Sequence, residues 1–264
     1  MTLSFTKMHG LGNDFVVIDT RHSHSVPSTD MIKHLCDRRL GIGCDQLVLL
    51  SAPTHDGADI FVRFFNPDGS EAGACGNASR CVALYLQDLS APTLQTHAGL
   101  LSTSRQGDMI TVNMGAPRLD WQEIPLNHAC DTLNLPVQGI TPHPAAACSM
   151  GNPHATLFHG TQDAETLGPI LEHAPLFPER ANIGFAEILS PTHMRLRVWE
   201  RGAGLTPACG SGACAAVVNA ARRGLTERAC TVDVDGGTLH IDWRDDGTVW
   251  MTGPATRVFE GTLS

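Results

Sequence analysis

Residues 207–218, "PACGSGACAAVV", set a cysteine after a proline and ahead of a glycine-rich run, and they have a twin in residues 73–84, "GACGNASRCVAL". Aligned on the cysteines, "RFFNPDGSEAGACG" (63–76) runs without a gap against "RVWERGAGLTPACG" (197–210), an offset of 134 residues. Each begins with Arg, continues with apolar residues and closes on Ala-Cys-Gly. Three further pairs follow in the same order: "GNDFVVID" (12–19) with "GNPHATLF" (151–158), "IGCDQLVLLS" (42–51) with "IGFAEILS" (183–190), and "TVNMGAP" (111–117) with "TVWMTGPA" (248–255). Four matches in one order imply a duplicated chain. The period, ~130 residues, is far too long for a solenoid and reads as two homologous domains facing one another.

The local patterns fit that duplication. "DFVVID", "QLVLLS", "DIFVRFF", "MITVNM", "MRLRVW", "CTVDVDG", "LHIDW" and "TVWMTG" are short runs rich in β-branched and aromatic residues between turn signals, and predict strands. Helices are fewer: "STDMIKHLCDRR", with Ser28 or Thr29 as N-cap, "NASRCVALYLQDL" and "GACAAVVNAARRG". The last two follow the cysteines and read as apolar nearly all round, hence buried. The expected architecture is α+β, two pseudo-symmetric domains, each a curved β-sheet or barrel wrapped around a central helix. Residues 1–115 form the first, joined by 256–264 as a returning strand, and residues 116–255 form the second.

Composition narrows the function. The chain of 264 residues is 42% hydrophobic and 17% charged, enough for a sizeable core. A net charge of −9 without a basic cluster argues against nucleic acid as a partner. No stretch reads as a signal peptide or a membrane span, so a cytoplasmic protein is expected. Nine cysteines, an odd count without an export signal, do not read as a disulfide framework. Zinc is disfavoured too: five residues separate Cys75 from Cys81, four separate Cys209 from Cys214, and no CxxC occurs. Cys36, Cys130, Cys148 and Cys230 read as small buried hydrophobes.

Cys75 and Cys209 carry the chemistry. A thiol just ahead of a helix meets unsatisfied N–H groups and the positive end of the dipole, which should lower its pKa towards neutrality. The same N–H groups can hold a carboxylate. Two such thiols flanking one α-carbon could remove a proton from one face and deliver one to the other, the signature of a two-base racemase or epimerase. Pyridoxal phosphate would need a Schiff-base lysine, and the only lysines, Lys7 and Lys33, sit away from any candidate site. The glycine runs lack the Lys-Ser/Thr of a P-loop and do not fit GxGxxG. A nucleophilic cysteine with His154 as base, and a non-catalytic thiol redox or binding protein, stay open on these residues alone.

From "MHGLGNDFVVID" through "GIGCDQ", "FFNPDGSEAGACGNASRC", "GNPH" and "ERGAGLTPACGSGACA" to "MTGPATRVFEG", the chain resembles the diaminopimelate epimerases. That resemblance implies a homodimeric enzyme without cofactor or metal that interconverts LL- and meso-diaminopimelate, a precursor of lysine and peptidoglycan. It implies Cys75 and Cys209 as the acid–base pair, with Gly76, Asn77, Gly210 and Ser211 offering N–H groups to the reacting carboxylate. Asn13 and Gln46 would line the pocket near that centre. Asn66, Asn152, Asn182 and Arg201 would hold the distal end, Glu200 would accept from an ammonium, and His154 and Glu200 would adjust the thiols. Proline racemases, hydroxyproline epimerases and histidine racemases are similar families; phenazine-pathway isomerases lack the thiol pair. Two departures stand out: Pro67 where the family often carries Ala, and Ser79 where Gly or Ala is usual.

Overall fold

A computed structural model of the chain describes residues 3–21, 26–137, 141 and 144–263. Backbone contacts divide it into Met1–Val112 with Gly253–Ser264, and Asn113–Thr252. In the first unit, β1 (Leu3–Gly10) turns into β2 (Asn13–Asp19) through Leu11 and Gly12, both with positive φ. Such a two-residue turn matches the strand twist, and it sets Asn13 opposite Gly10 at the head of β2. Helix α1 (Thr29–Cys36), capped by Ser28 Oγ on Met31 N–H, crosses to β3 (Gln46–Ser51), which lies parallel to β2. β4 (Ile60–Phe65) returns antiparallel to β3 and pairs with the short β5 (Glu71–Ala72). Helix α2 (Gly76–Tyr85) then crosses to β6 (Thr93–Thr96), parallel to β4, and β7 (Gly99–Gln106) and β8 (Met109–Asn113) follow as antiparallel neighbours.

The second unit repeats that order step for step. β9 (Ala146–Ser149) and β10 (Pro153–Leu157) are antiparallel, and α3 (Ala164–Glu172) crosses to β11 (Asn182–Ser190), parallel to β10. β12 (His193–Glu200) pairs antiparallel with β11 and with the short β13 (Gly204–Leu205). Helix α4 (Gly210–Arg222) crosses to β14 (Ala229–Val234), parallel to β12, and β15 (Gly237–Trp243) and β16 (Val249–Pro254) close the series. The chain ends in β17 (Thr256–Leu263), antiparallel to β1 of the first unit. The fold is α+β, each unit a curved sheet around a central helix. Among the described residues no helix is long and apolar enough to cross a membrane.

Register corrects one expected correspondence. Phe15 pairs with Gln46 as His154 pairs with Asn182, and Leu47 faces Phe65 as Ile183 faces Trp199. Gln46 therefore answers Asn182, an offset of 136, and the shared "Ile-Gly" letters mislead. Residues 42–43 lie in the loop before β3, whereas 183–184 lie inside β11.

The two cysteine helices differ in their cores. In α4 nearly every residue is buried, and small Ala and Gly side chains keep the helix thin enough for strands to close around it. A Cβ on Gly212 would lie 2.9 Å from Val198 Cγ2, closer than atoms tolerate. Asn219, wholly buried, donates to Ala146 C=O (3.1 Å) and Thr156 Oγ1 (3.3 Å), tying the helix to β9 and β10. Helix α2 is not apolar all round as expected: Asn77, Ser79 and Arg80 are buried, with Arg80 Nε donating to Pro254 C=O at 3.3 Å. The Ser79 hydroxyl is absorbed locally, donating to Cys75 C=O at 2.8 Å. Helix α3 was not legible, because Gly168 and Pro169 stand in its middle and both oppose helix formation. Packing overrides propensity there: a Cβ on Gly168 would come within 2.6 Å of the Trp199 ring.

Candidate active site

Topology sorts the sequence-predicted residues into two sets, one in each unit, and most are paired by the repeat. Asn13 answers Asn152, Gln46 answers Asn182, Asn66 answers Glu200, Cys75 answers Cys209, Gly76 answers Gly210 and Asn77 answers Ser211.

Both cysteines are N-caps in extended conformation, with φ −147° at Cys75 and −116° at Cys209, and neither side chain caps its helix. The first helical bonds run from Ser79 N–H to Cys75 C=O and from Ala213 N–H to Cys209 C=O, both 2.9 Å. The N–H groups of residues 76–78 and 210–212 thus precede each hydrogen-bond ladder, the arrangement that binds anions at helix N-termini.

In the first unit Cys75 is half-buried. Asn77, on the first turn of α2, donates to Asn13 Oδ1 at 3.1 Å, and Asn13 donates to Asp45 Oδ2 at 2.8 Å. Asp45 is held by Arg38 (2.7 Å), which also grips Asp14 (2.6 Å). Burial would raise the Asp14 carboxyl, but hydrogen bonds from Arg38 and Lys7 outweigh it and hold it well below the usual carboxylate range. Lys7 is therefore nearer the site than the sequence indicated: its ammonium is 2.6 Å from Asp14, the neighbour of Asn13. Gln46 Nε2 donates to Asn66 Oδ1 at 2.9 Å. Asn66 opens a turn over Pro67 and Asp68, closed by Gly69 N–H on Asn66 C=O (2.9 Å) and Asn66 N–H on Ser70 C=O (2.8 Å). Pro67 suits the second position of such a turn, so the departure from the family pattern is accommodated.

The second unit sets a carboxylate beside its thiol. Cys209 is 4% exposed and lies 3.7 Å from Ser211 Oγ. Burial pushes its thiol well above the ordinary value, and the Glu200 carboxylate, as a neighbouring charge and hydrogen-bond acceptor, pushes it further; the Gly212 N–H and Ser211 oppose this without prevailing. The dipole argument made from sequence fails at this cysteine, because a helix N-terminus cannot compensate both desolvation and an adjacent carboxylate. Thr206 Oγ1 donates to Glu200. His154 is 1% exposed, and its Nε2 lies 2.9 Å from Asn152 Oδ1. Burial, aided by the Arg201 charge, lowers its pKa to about 3, so the imidazole is neutral near pH 7 and brings no positive charge to a thiol. Asn182 is spent on backbone: its Nδ2 donates to Pro153 C=O and its Oδ1 accepts from Arg201 N–H, both 3.0 Å. The exposed Arg201 guanidinium donates to Glu179 C=O at 3.0 Å.

Glu172 escaped the sequence reading. Its buried carboxylate, at the end of α3, accepts from Trp199 Nε1 (2.8 Å) and Gly202 N–H (2.9 Å), fastening the turn that carries Glu200 and Arg201. No motif marks it. Thr206 and Asp45 do sit inside the quoted motifs, and a search for partners of Glu200 and Asn13 there could have found them. Among the described residues no three His, Cys, Asp or Glu side chains converge as metal ligands.

The matching family model and the curated relatives agree on one family. The family described as "Diaminopimelate epimerase" matches residues 5–119 and 146–258. The diaminopimelate epimerase of Gluconobacter oxydans (strain 621H) is 73% identical over 264 residues, covering all of both chains. That of Rhodospirillum centenum is 54% identical across this whole chain and 93% of its own. Among solved structures, a PhzF-family phenazine biosynthesis protein of Bacillus anthracis aligns with a TM-score of 0.71 at 16% identity, covering 100% of this chain and 99% of that one. A hydroxyproline epimerase from Agrobacterium vitis aligns at 0.70 and 15%, covering 99% and 92%. At such identities these two likenesses speak for the fold alone.

Proposed function

The chain belongs to the diaminopimelate epimerase family, and on that premise we propose that it interconverts LL-2,6-diaminopimelate and meso-diaminopimelate by a two-thiol mechanism. The observation that carries this reading is the paired setting of Cys75 and Cys209, each at the head of a central helix. Inversion at an α-carbon requires one thiol on each face. One takes the α-proton as thiolate while the other gives its proton to the opposite face, and the roles exchange in the reverse direction. Charge that moves into the α-carboxylate is met by N–H groups at residues 76–77 and 210–211, as in an oxyanion hole.

The elevated Cys209 thiol suits the donor role in the resting enzyme, since it enters the reaction protonated. Glu200, a hydrogen-bond acceptor for that thiol, would take the proton when Cys209 must act as base. Thr206 holds the carboxylate for this exchange. At the distal end of the substrate, Arg201 would clamp the second carboxylate, assisted by Asn66 and Asn152, with Asn182 fixing the Arg201 backbone and Glu200 facing the ammonium. Base, acid and anion site all come from the chain, so the reaction as proposed draws on no cofactor. The same reading takes the two units as the two epimerase domains and the enzyme as a cytoplasmic homodimer.

The test is α-proton exchange in heavy water, with LL-diaminopimelate, proline and histidine offered side by side. Deuterium should enter diaminopimelate as the meso isomer accumulates. Comparable exchange into proline or histidine, with diaminopimelate inert, would assign the chain to another reaction on the same fold.

A further inference from the structure

The first unit holds a second pair of thiols that the proposed reaction does not use. Cys36, the last residue of α1, and Cys44, in the loop before β3, are 3% and 2% exposed, and the Cys44 thiol donates to Cys36 Sγ at 3.5 Å. The backbone fixes them side by side: Cys44 N–H donates to Cys36 C=O (3.2 Å) and Gly43 N–H to Leu35 C=O (3.0 Å). Gly43 permits so tight a return, with φ +78° and no room for a Cβ, which would meet Arg38 Cα at 2.8 Å. Lys7 donates to Gly43 C=O and pairs with Asp14, which brings a cation to the same loop. The hydrogen bond from Cys44, against burial and with help from Lys7 and Arg38, lowers the Cys36 thiol below its ordinary value. The Cys44 thiol is raised by its bond to Cys36 and by burial. One thiol is thus favoured as nucleophile, and the other touches it.

We propose that Cys36 and Cys44 form a peroxide-reactive dithiol, a modification site separate from the Cys75–Cys209 pair. The Cys36 thiolate attacks one oxygen of hydrogen peroxide; the O–O bond breaks, Cys36 becomes a sulfenic acid, and the departing hydroxide takes up a proton as water. Cys44 sulfur then attacks the sulfenic sulfur; the S–O bond breaks, the S–S bond forms, and the hydroxyl leaves as water with the Cys44 proton. In sum, two thiols lose two electrons and one peroxide becomes two waters. Burial selects the oxidant, since sulfurs so nearly covered need far less opening of the fold to admit a molecule the size of two waters than a glutathione-sized disulfide. An S–S bond of about 2.05 Å asks the sulfurs to close by only ~1.5 Å, so oxidation leaves the loop in place. The new ring constrains the unfolded chain, and the melting temperature should rise by several degrees.

The whole protein is treated with a small excess of hydrogen peroxide, denatured, alkylated without reduction and digested with trypsin. Peptides 34–38 and 40–63 should be recovered joined and two hydrogens lighter than their sum. Oxidised glutathione at equal concentration should leave them separate. In Cys44→Ala the Cys36 sulfenic acid should be trapped by dimedone present as the treated protein is denatured, and Cys36→Ala should lose the oxidative gain in melting temperature shown by the parent. Recovery of both cysteines alkylated, under conditions that oxidise Cys75, overturns the proposal. So does equal crosslinking by glutathione disulfide, or dimedone labelling of Cys44 in Cys36→Ala. Should either variant fail to fold, the peptide map of the parent decides alone.

Discussion

The two cysteine half-sites share a backbone and differ in charge. β4, β5 and α2 deliver Cys75 as β12, β13 and α4 deliver Cys209, strand for strand. Helix heads, cap conformations and the asparagines at the head of the second strand are common to both. Three positions gain an ionisable group in the second unit: His154 against Phe15, Glu200 against Asn66, and Arg201 against Pro67. Two lose one, since Asp14 and Asp45 beside Asn13 answer Pro153 and Ala181. The shared backbone suits the part of the reaction that is itself symmetric, holding a carboxylate and moving a proton on or off either face. The unshared side chains suit what is asymmetric, namely recognising one particular substrate and setting the state of one thiol.

If the symmetric part does the chemistry, removing either thiol should cost alike. Cys75→Ala and Cys209→Ala should each lower epimerisation by about 10³-fold or more, the usual scale for a lost general acid or base. The readout is the rate of meso formation from the LL isomer. Near-parent turnover in one of the two would mean that a single base suffices.

Recognition should fail on one side only. Arg201→Ala should lose most turnover of diaminopimelate, and lysine, which keeps the distal amine but lacks the second carboxylate, should be rejected by up to about 10⁴-fold. The mirror change at Pro67 removes no charge and should leave this selectivity intact. Lysine racemised at a rate comparable to diaminopimelate would dissolve the distal clamp.

How much of this was legible follows the same division. The strands, the N-cap at Ser28 and the cysteine helices could be read because alternation, turn residues and caps act locally. Helix α3 could not, because Gly168 is set by the Trp199 ring packed against it from another strand. The register of "IGFAE" was misread because letters align where backbones do not. Most of all, the sign of the Cys209 shift depends on how deeply the thiol is buried and where Glu200 points, and no motif carries depth. Glu172 is invisible for a related reason: it acts through contacts made at the end of a helix whose existence was not evident.

His154 gives a test that does not depend on turnover. Its folded pKa, lowered to about 3 from 6.5, means that the unfolded chain takes a proton between those values which the folded protein refuses. Its contribution to stability is therefore full above pH 6.5 and lost as pH falls towards 3. At pH 5 the loss is about 2 kcal/mol, an order-of-magnitude figure. His154→Phe restores the residue type found at position 15 and should cut the difference in unfolding free energy between pH 7 and pH 5 by that amount. Urea unfolding at both pH values measures it, and the other histidines cancel between parent and variant. Identical pH slopes would show that His154 is not the buried neutral group described.

The smallest effect concerns Glu200 and goes to the cause of the asymmetry. Burial and the Glu200 carboxylate both raise the Cys209 thiol, and the first unit carries the neutral Asn66 where that carboxylate stands. Glu200→Gln keeps the shape and a hydrogen-bond acceptor but removes the charge, so the Cys209 thiolate should form at lower pH than in the parent. Burial is untouched, so the thiol should still titrate above an ordinary cysteine. The signal is thiolate absorbance, read as the difference between each protein and the same protein carrying Cys209→Ala, which removes the other eight cysteines from view. A titration that does not move on losing the charge would leave burial as the sole cause. The Asn66–Glu200 difference would then belong to substrate recognition, not to the thiol.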